Sequence, residues 1–213
     1  MANLGEGSQI PFISKYGIVR KVEELLNECW NGTFPIDVEK ICDYLGIAIL
    51  PVAKLADSFG VDAFVSANFK IIYVDAEEFE LESYRYRFSV AHELGHYVLH
   101  REYFPSRVWS FDEWHGLSDG GISGVAEFQA NYFAGSLLAP EDELLRALNV
   151  GFGGSFARNY FNTEREEIKR ILTSVQRVFK VSEQVIHRRI RDTVYGFWYR
   201  NMVIVVMYAW IMM

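Results

Sequence analysis

Between Tyr16 and Trp30 the apolar residues Ile18, Val19, Val22, Leu25 and Leu26 recur at helical spacing, and Asn31-Gly32 supplies a stop, so the pattern predicts an amphipathic helix. A shorter helix is expected from Pro35 to Leu45, entered through Pro35 and closed by Gly46. Ile47 to Leu50, Val61 to Val65 and Phe69 to Val74 read as strands on their β-branched and aromatic content, the last two joined by a tight Ser66-Ala67-Asn68 link. Helical periodicity then runs from Tyr84 to His100 and from Val125 to Leu138, and Pro140 with Glu141 and Asp142 opens a further helix. Between them, Arg101 to Ser123 is loop-like, Gly-rich and aromatic, long enough to serve as a lid or substrate-binding segment. Beyond the Gly151-Phe152-Gly153-Gly154 break, Thr163 to Phe179 and Ser182 to Asp192 read as helices with Thr163 and Ser182 as caps. The pattern implies an α+β fold: a mainly helical body of residues 1–150 with a small β-sheet, then a C-terminal helical subdomain, 151–213, of helix-turn-helix-like character.

At 213 residues and 50% hydrophobic content, the chain can bury one real core with a small helical annex. Cys29 and Cys42 are too few for a disulfide framework and lack CxxC spacing, so they read as reduced core thiols of a cytoplasmic protein. The N-terminus has neither the basic start nor the apolar run of a secretory signal. Net charge is −7, yet residues 158–191 carry nine Lys/Arg against four Asp/Glu. An acidic body disfavours nonspecific nucleic-acid binding and suits a basic protein partner. The run Met202 to Met213 is apolar but, at 12 residues, short of the ~20 a membrane span requires. It is expected to be a buried strand or a contact between copies of the chain, not a membrane anchor.

The chemistry concentrates in His92-Glu93-Leu94-Gly95-His96, an HExxH spacing. On a helix, residues four apart differ by about 40° in azimuth and about 6 Å in height, so the two imidazoles can converge on one Zn²⁺. Glu93 sits about 100° further round, placed to act as general base without being a ligand. A catalytic zinc ordinarily takes a third protein ligand. Glu127 is the best candidate, on a predicted helix with Asn131 one turn later on nearly the same face, where an amide can hydrogen-bond a ligating histidine. His100 lies about 12 Å along the axis from His92, too far to share the ion, and is assigned a supporting or packing role. The extended three-histidine pattern fails because Leu99 and Glu102 occupy its glycine and third-histidine positions. His115 is a weaker candidate, either as an alternative ligand or as an oxyanion donor.

The stretch Arg87-Phe88-Ser89-Val90-Ala91-His92-Glu93-Leu94-Gly95-His96 with Leu99-His100, followed by Glu127-Phe128-Gln129-Ala130-Asn131-Tyr132-Phe133-Ala134 and Leu137-Leu138-Ala139-Pro140, closely resembles the ImmA/IrrE family of metallo-endopeptidases. The likeness extends over about residues 16–192 and implies a zincin-like core. It also implies His92, His96 and Glu127 as zinc ligands and Glu93 as base. Members of that family are bacterial, phage or mobile-element proteins that typically cleave or inactivate a helix-turn-helix repressor. A zinc endopeptidase acting on such a repressor is therefore the leading expectation. Two others stand beside it: a regulatory binding protein that sequesters a repressor or toxin without cleaving it, and a DNA-binding regulator acting through residues 158–191. The last is not favoured, because two packed helices with a Ser cap and a solvated basic face give the same pattern.

Overall fold

The structure is a computed structural model that describes residues 10–81, 83–103 and 123–192. The apolar tail, His115 and nearly all of the expected lid fall outside the described residues. Two compact units emerge, Met1–Leu138 and Ala139–Met213. This boundary precedes the expected one at 150/151, because the helix after Pro140 packs on the helices that follow it.

In the first unit, α1 (Lys15–Cys29) is capped by Ser14, whose hydroxyl oxygen accepts from Gly17 N–H at 3.1 Å, and it buries Ile18, Val22, Leu25 and Leu26. α2 (Val38–Leu45) starts later than expected. Asp37, not Pro35, caps it by accepting from Lys40 N–H, and Gly46 ends it at φ 67°. The strands β1 (Ala48–Val52), β2 (Ala63–Val65) and β3 (Ile71–Asp75) form a sheet in the order β1-β3-β2. β1 runs parallel to β3 with Ala48 opposite Ile71, and β2 runs antiparallel with Ala63 opposite Val74. Two short helices that the sequence pattern left unassigned, α3 (Leu55–Phe59) and α4 (Ala76–Glu80), are tied to the sheet by Asp75, whose carboxylate accepts from Ala56 N–H and Glu77 N–H. Helices of five residues carry too little periodicity to be read from pattern alone.

The long helix α5 (Tyr84–His100) begins at Ser83, which accepts from Tyr86 N–H at 2.9 Å. Its buried face presents Val90, Ala91, Leu94 and Leu99, and it packs on both the sheet and α6 (Ser123–Leu138). α6 buries Ala126, Ala130, Phe133, Ala134, Leu137 and Leu138, and α1 lies across it. Arg87 donates to the Ile36 carbonyl at 2.7 Å and Tyr86 to Glu39 at 2.8 Å, which locks the start of α5 to the segment around α2.

The second unit holds α7 (Glu141–Gly151), α8 (Phe156–Asn159), α9 (Arg165–Phe179) and α10, residues 183–192. Leu144, Leu148, Phe152, Phe156, Ile171, Leu172 and Val175 form its interior. Thr163 does not cap α9: its hydroxyl donates to the Asn159 carbonyl at 2.8 Å, and the N-cap position belongs to Glu164. Ser182 accepts from Val185 N–H at 3.4 Å at the start of α10. The overall result is an α+β fold, mainly helical with one small sheet.

Candidate metal centre

Helices α5 and α6 build the centre together, and a small pair sets their separation. A Cβ added at Gly95 would stand 3.0 Å from Ala130 Cα and 3.3 Å from Phe133 Cβ, so glycine is what allows the backbones to approach this closely. At that separation Glu127 reaches across to the histidines. Its Oε2 lies 3.2 Å from His92 Nε2 and its Oε1 lies 3.2 Å from His96 Nε2, while the two Nε2 atoms are 3.0 Å apart. Bonds of about 2.0–2.1 Å in a tetrahedral zinc site place neighbouring donors about 3.3 Å apart. The two Nε2 atoms and the nearer Glu127 oxygen of each are close to that, though the two rings meet different oxygens, and with one donor per residue the three lie within 4.8 Å of one another, a group that could hold a metal ion. Among the described residues no other His, Cys, Asp or Glu cluster does so.

The electrostatics match a cation site. Burial works against ionised Glu127, but hydrogen bonds and charge from His92 and His96 hold its carboxyl far below the usual range. Burial likewise opposes the protonated form of His92, yet its bond to Glu127 and the charges of Glu93 and Glu127 leave its pKa raised. A carboxylate held ionised beside two imidazole nitrogens is the kind of donor set that takes up a metal ion.

Glu93 is 8% exposed, and its Oε2 accepts from Val65 N–H of β2 at 2.8 Å. Burial pushes its pKa up, against the opposing pull of His92, His96 and the Val65 amide. The other ring nitrogens are also engaged. His92 Nδ1 faces Asn131 Oδ1 at 3.3 Å and His96 Nδ1 faces His100 Nδ1 at 3.1 Å. His100, fully buried, reaches Gln129 Oε1 through Nε2 at 2.8 Å, and Gln129 Nε2 donates to the Pro11 carbonyl at 3.0 Å.

The structure thus brings together His92, Glu93, His96, Glu127, Asn131 and His100; His115 lies outside the described residues. Sequence reasoning missed Gln129, Gly95 and the Val65 amide. Gln129 left a signal, being a polar residue in a helix otherwise rich in Ala, Phe and Leu on its buried side. The Val65 amide left none, since a backbone donor is invisible in residue type.

Comparison with known proteins places the chain in a family. A peptidase-family profile described as the IrrE N-terminal-like domain matches residues 42–191. No curated protein matches the chain. Among solved structures, the fold is similar to that of a Mycobacterium tuberculosis transcriptional regulator, with a TM-score of 0.53 at 19% identity, covering 84% of this chain and 47% of the other. The chain therefore spans about half the length of that regulator. With a profile match over most of its length and the paired motifs of α5 and α6 in one centre, this chain belongs to the IrrE N-terminal-like peptidase family, the ImmA/IrrE group of metallopeptidase-like proteins.

Proposed function

We propose that the protein is a zinc-dependent endopeptidase whose substrate is a regulatory protein, in the first instance a helix-turn-helix repressor. One observation carries the reading: Glu127 of one helix converges on His92 and His96 of another, with the buried carboxylate of Glu93 next to that pair in sequence. Zn²⁺ in this setting supplies Lewis-acid polarisation of a carbonyl and makes water a nucleophile near neutral pH. His92 Nε2, His96 Nε2 and the Glu127 carboxylate would hold the ion, with Asn131 and His100 orienting the two rings. Glu93 takes a proton from the attacking water on its carboxylate and delivers it to the leaving amine. Its raised pKa suits both halves of that transfer. β2 is an edge strand beside Glu93, and an extended segment of substrate adds to that edge through main-chain hydrogen bonds.

The similar mycobacterial protein is called a transcriptional regulator, which supports a place in gene control. The proposed location is the cytoplasm. Among the described residues no helix is long and apolar enough to cross a membrane. Substitution Glu93→Gln is expected to retain zinc at one equivalent while cleavage of the cognate repressor falls by about 10²–10⁴-fold. Undiminished cleavage by that variant removes the role given to Glu93. Cleavage that a chelator leaves untouched removes the metal from the reaction, and a partner bound but left intact in every condition turns the reading into sequestration.

A further inference from the structure

The metal centre is tied to a part of the chain remote in sequence from both motifs. The link runs His96 Nδ1, His100 Nδ1, His100 Nε2, Gln129 Oε1, Gln129 Nε2, Pro11 carbonyl, with separations of 3.1, 2.8 and 3.0 Å. Only the last group has a fixed polarity, because a carbonyl oxygen can accept and never donate. Gln129 must therefore turn its NH₂ toward Pro11, which leaves its oxygen facing His100. An oxygen there requires a proton on His100 Nε2, and a neutral imidazole has only one. His100 Nδ1 is then a lone pair, so the nitrogen opposite it, His96 Nδ1, carries the proton. The lone pair of His96 is left on Nε2, the atom that faces Glu127.

We infer that the Pro11 carbonyl, acting through Gln129 and His100, sets the tautomer of His96, so that the seating of the N-terminal segment positions a metal ligand. Gln129 and His100 are positioning residues in this scheme; neither touches the metal. The inference rests on the zinc-site reading and adds the N-terminal segment to it.

Two further observations support it. His100 and Gln129 are both fully buried, so water does not offer either an alternative partner. The Pro11 carbonyl is held on both sides, by buried Ile10 before it and by Ser14, the cap of α1, after it. His92 offers the contrast, since its Nδ1 meets a single amide oxygen on the adjacent helix.

The test uses the full chain labelled with ¹⁵N-histidine, loaded with zinc and read by long-range ¹H–¹⁵N correlation. The wild type is expected to show protons on His96 Nδ1 and His100 Nε2. In Gln129→Met, of similar volume but without the amide, His100 should populate both tautomers and zinc affinity in competition with a chelating dye should fall about 10–100-fold. Gln129→Glu keeps an acceptor for His100 and is expected to restore the wild-type ring signature. Ile10→Ser unseats the segment without altering any atom of the relay, and should weaken zinc binding in the same direction by a smaller factor. A wild-type His100 protonated on Nδ1, or zinc affinity in Gln129→Met within roughly twofold of wild type, overturns the inference. Should Gln129→Met not fold, the wild-type spectrum and Ile10→Ser decide the matter. Failure of wild type to take up one zinc would bring down the site reading and the relay together, whereas stoichiometric zinc with the opposite His100 tautomer brings down the relay alone.

Discussion

The two compact units bury different things. Among the described residues, the interior of the first holds Asp75, Arg87, Glu93, His100, Gln129 and Ser136, whereas the second buries Arg189 as its charged side chain, with Nε donating to the Ala139 carbonyl. Burying a polar group costs free energy unless a partner replaces water, and Asp75, Arg87, Glu93, His100 and Gln129 are each accompanied by a cross-element bond. Glu93 bonds β2, Arg87 bonds the Ile36 carbonyl, and Gln129 bonds both His100 and the N-terminal segment. The second unit follows the ordinary rule of apolar helices meeting side by side. The difference teaches that interior polarity here traces the chemistry, because a fold needing only stability would have no cause to retain a glutamate and several imidazoles side by side.

Substitutions sharpen that contrast, and the largest effect is expected where a polar partner is removed from the metal centre. Glu127→Ala should abolish stoichiometric zinc, read by elemental analysis after dialysis, and proteolysis with it. Residual zinc at one equivalent would show that Glu127 is not a ligand. In the second unit, Leu148→Ala deletes buried methyls and should cost about 2–5 kcal/mol in denaturant unfolding. Zinc content under folding conditions should not change, and its loss would erase the distinction between the units.

Gly95→Ala probes the seam between α5 and α6. The added methyl meets backbone, not a flexible tip, so the helices must separate, at about 1–3 kcal/mol in thermal or chemical unfolding together with weaker metal binding. Unaltered stability would mean that the seam can relax without disturbing the site. The smallest effect concerns pH. Hydrogen bonds from Ala56 N–H and then other amides lower the pKa of Asp75 in the folded chain despite burial, so the unfolded chain protonates first as pH falls. Its contribution is complete above the ordinary carboxylate value of about 4 and drains away as pH drops through and below it. Asp75→Asn should flatten that acid limb of the melting temperature, and an unchanged limb would assign it to other carboxylates.

Much of this was legible in residue order. The bounds of α5, its HExxH spacing and the choice of Glu127 with Asn131 all follow from helical periodicity, which projects chemistry onto one face wherever the helix is long enough. The three strands were also visible from their β-branched content, within a few residues. What could not be read depends on atoms that sequence does not display. Val65 reaches Glu93 through a main-chain amide, Pro11 reaches Gln129 through a main-chain carbonyl, and Asp75 organises two helices too short to have a period. The capping of α9 failed for a related reason, since Thr163 found a carbonyl behind it before it could serve the helix ahead.

The rim of the sheet has one more implication. Residues 62 and 66 bond inward to β3, through the Asp62 carbonyl and the Ser66 amide, so the main-chain groups of Ala63 and Val65 point the other way. Of these, the Val65 amide is already spent on Glu93. A peptide mimic aligned along this rim therefore gains nothing from a carbonyl placed opposite Val65, and a methylene at that position would shed a desolvation cost without losing a bond.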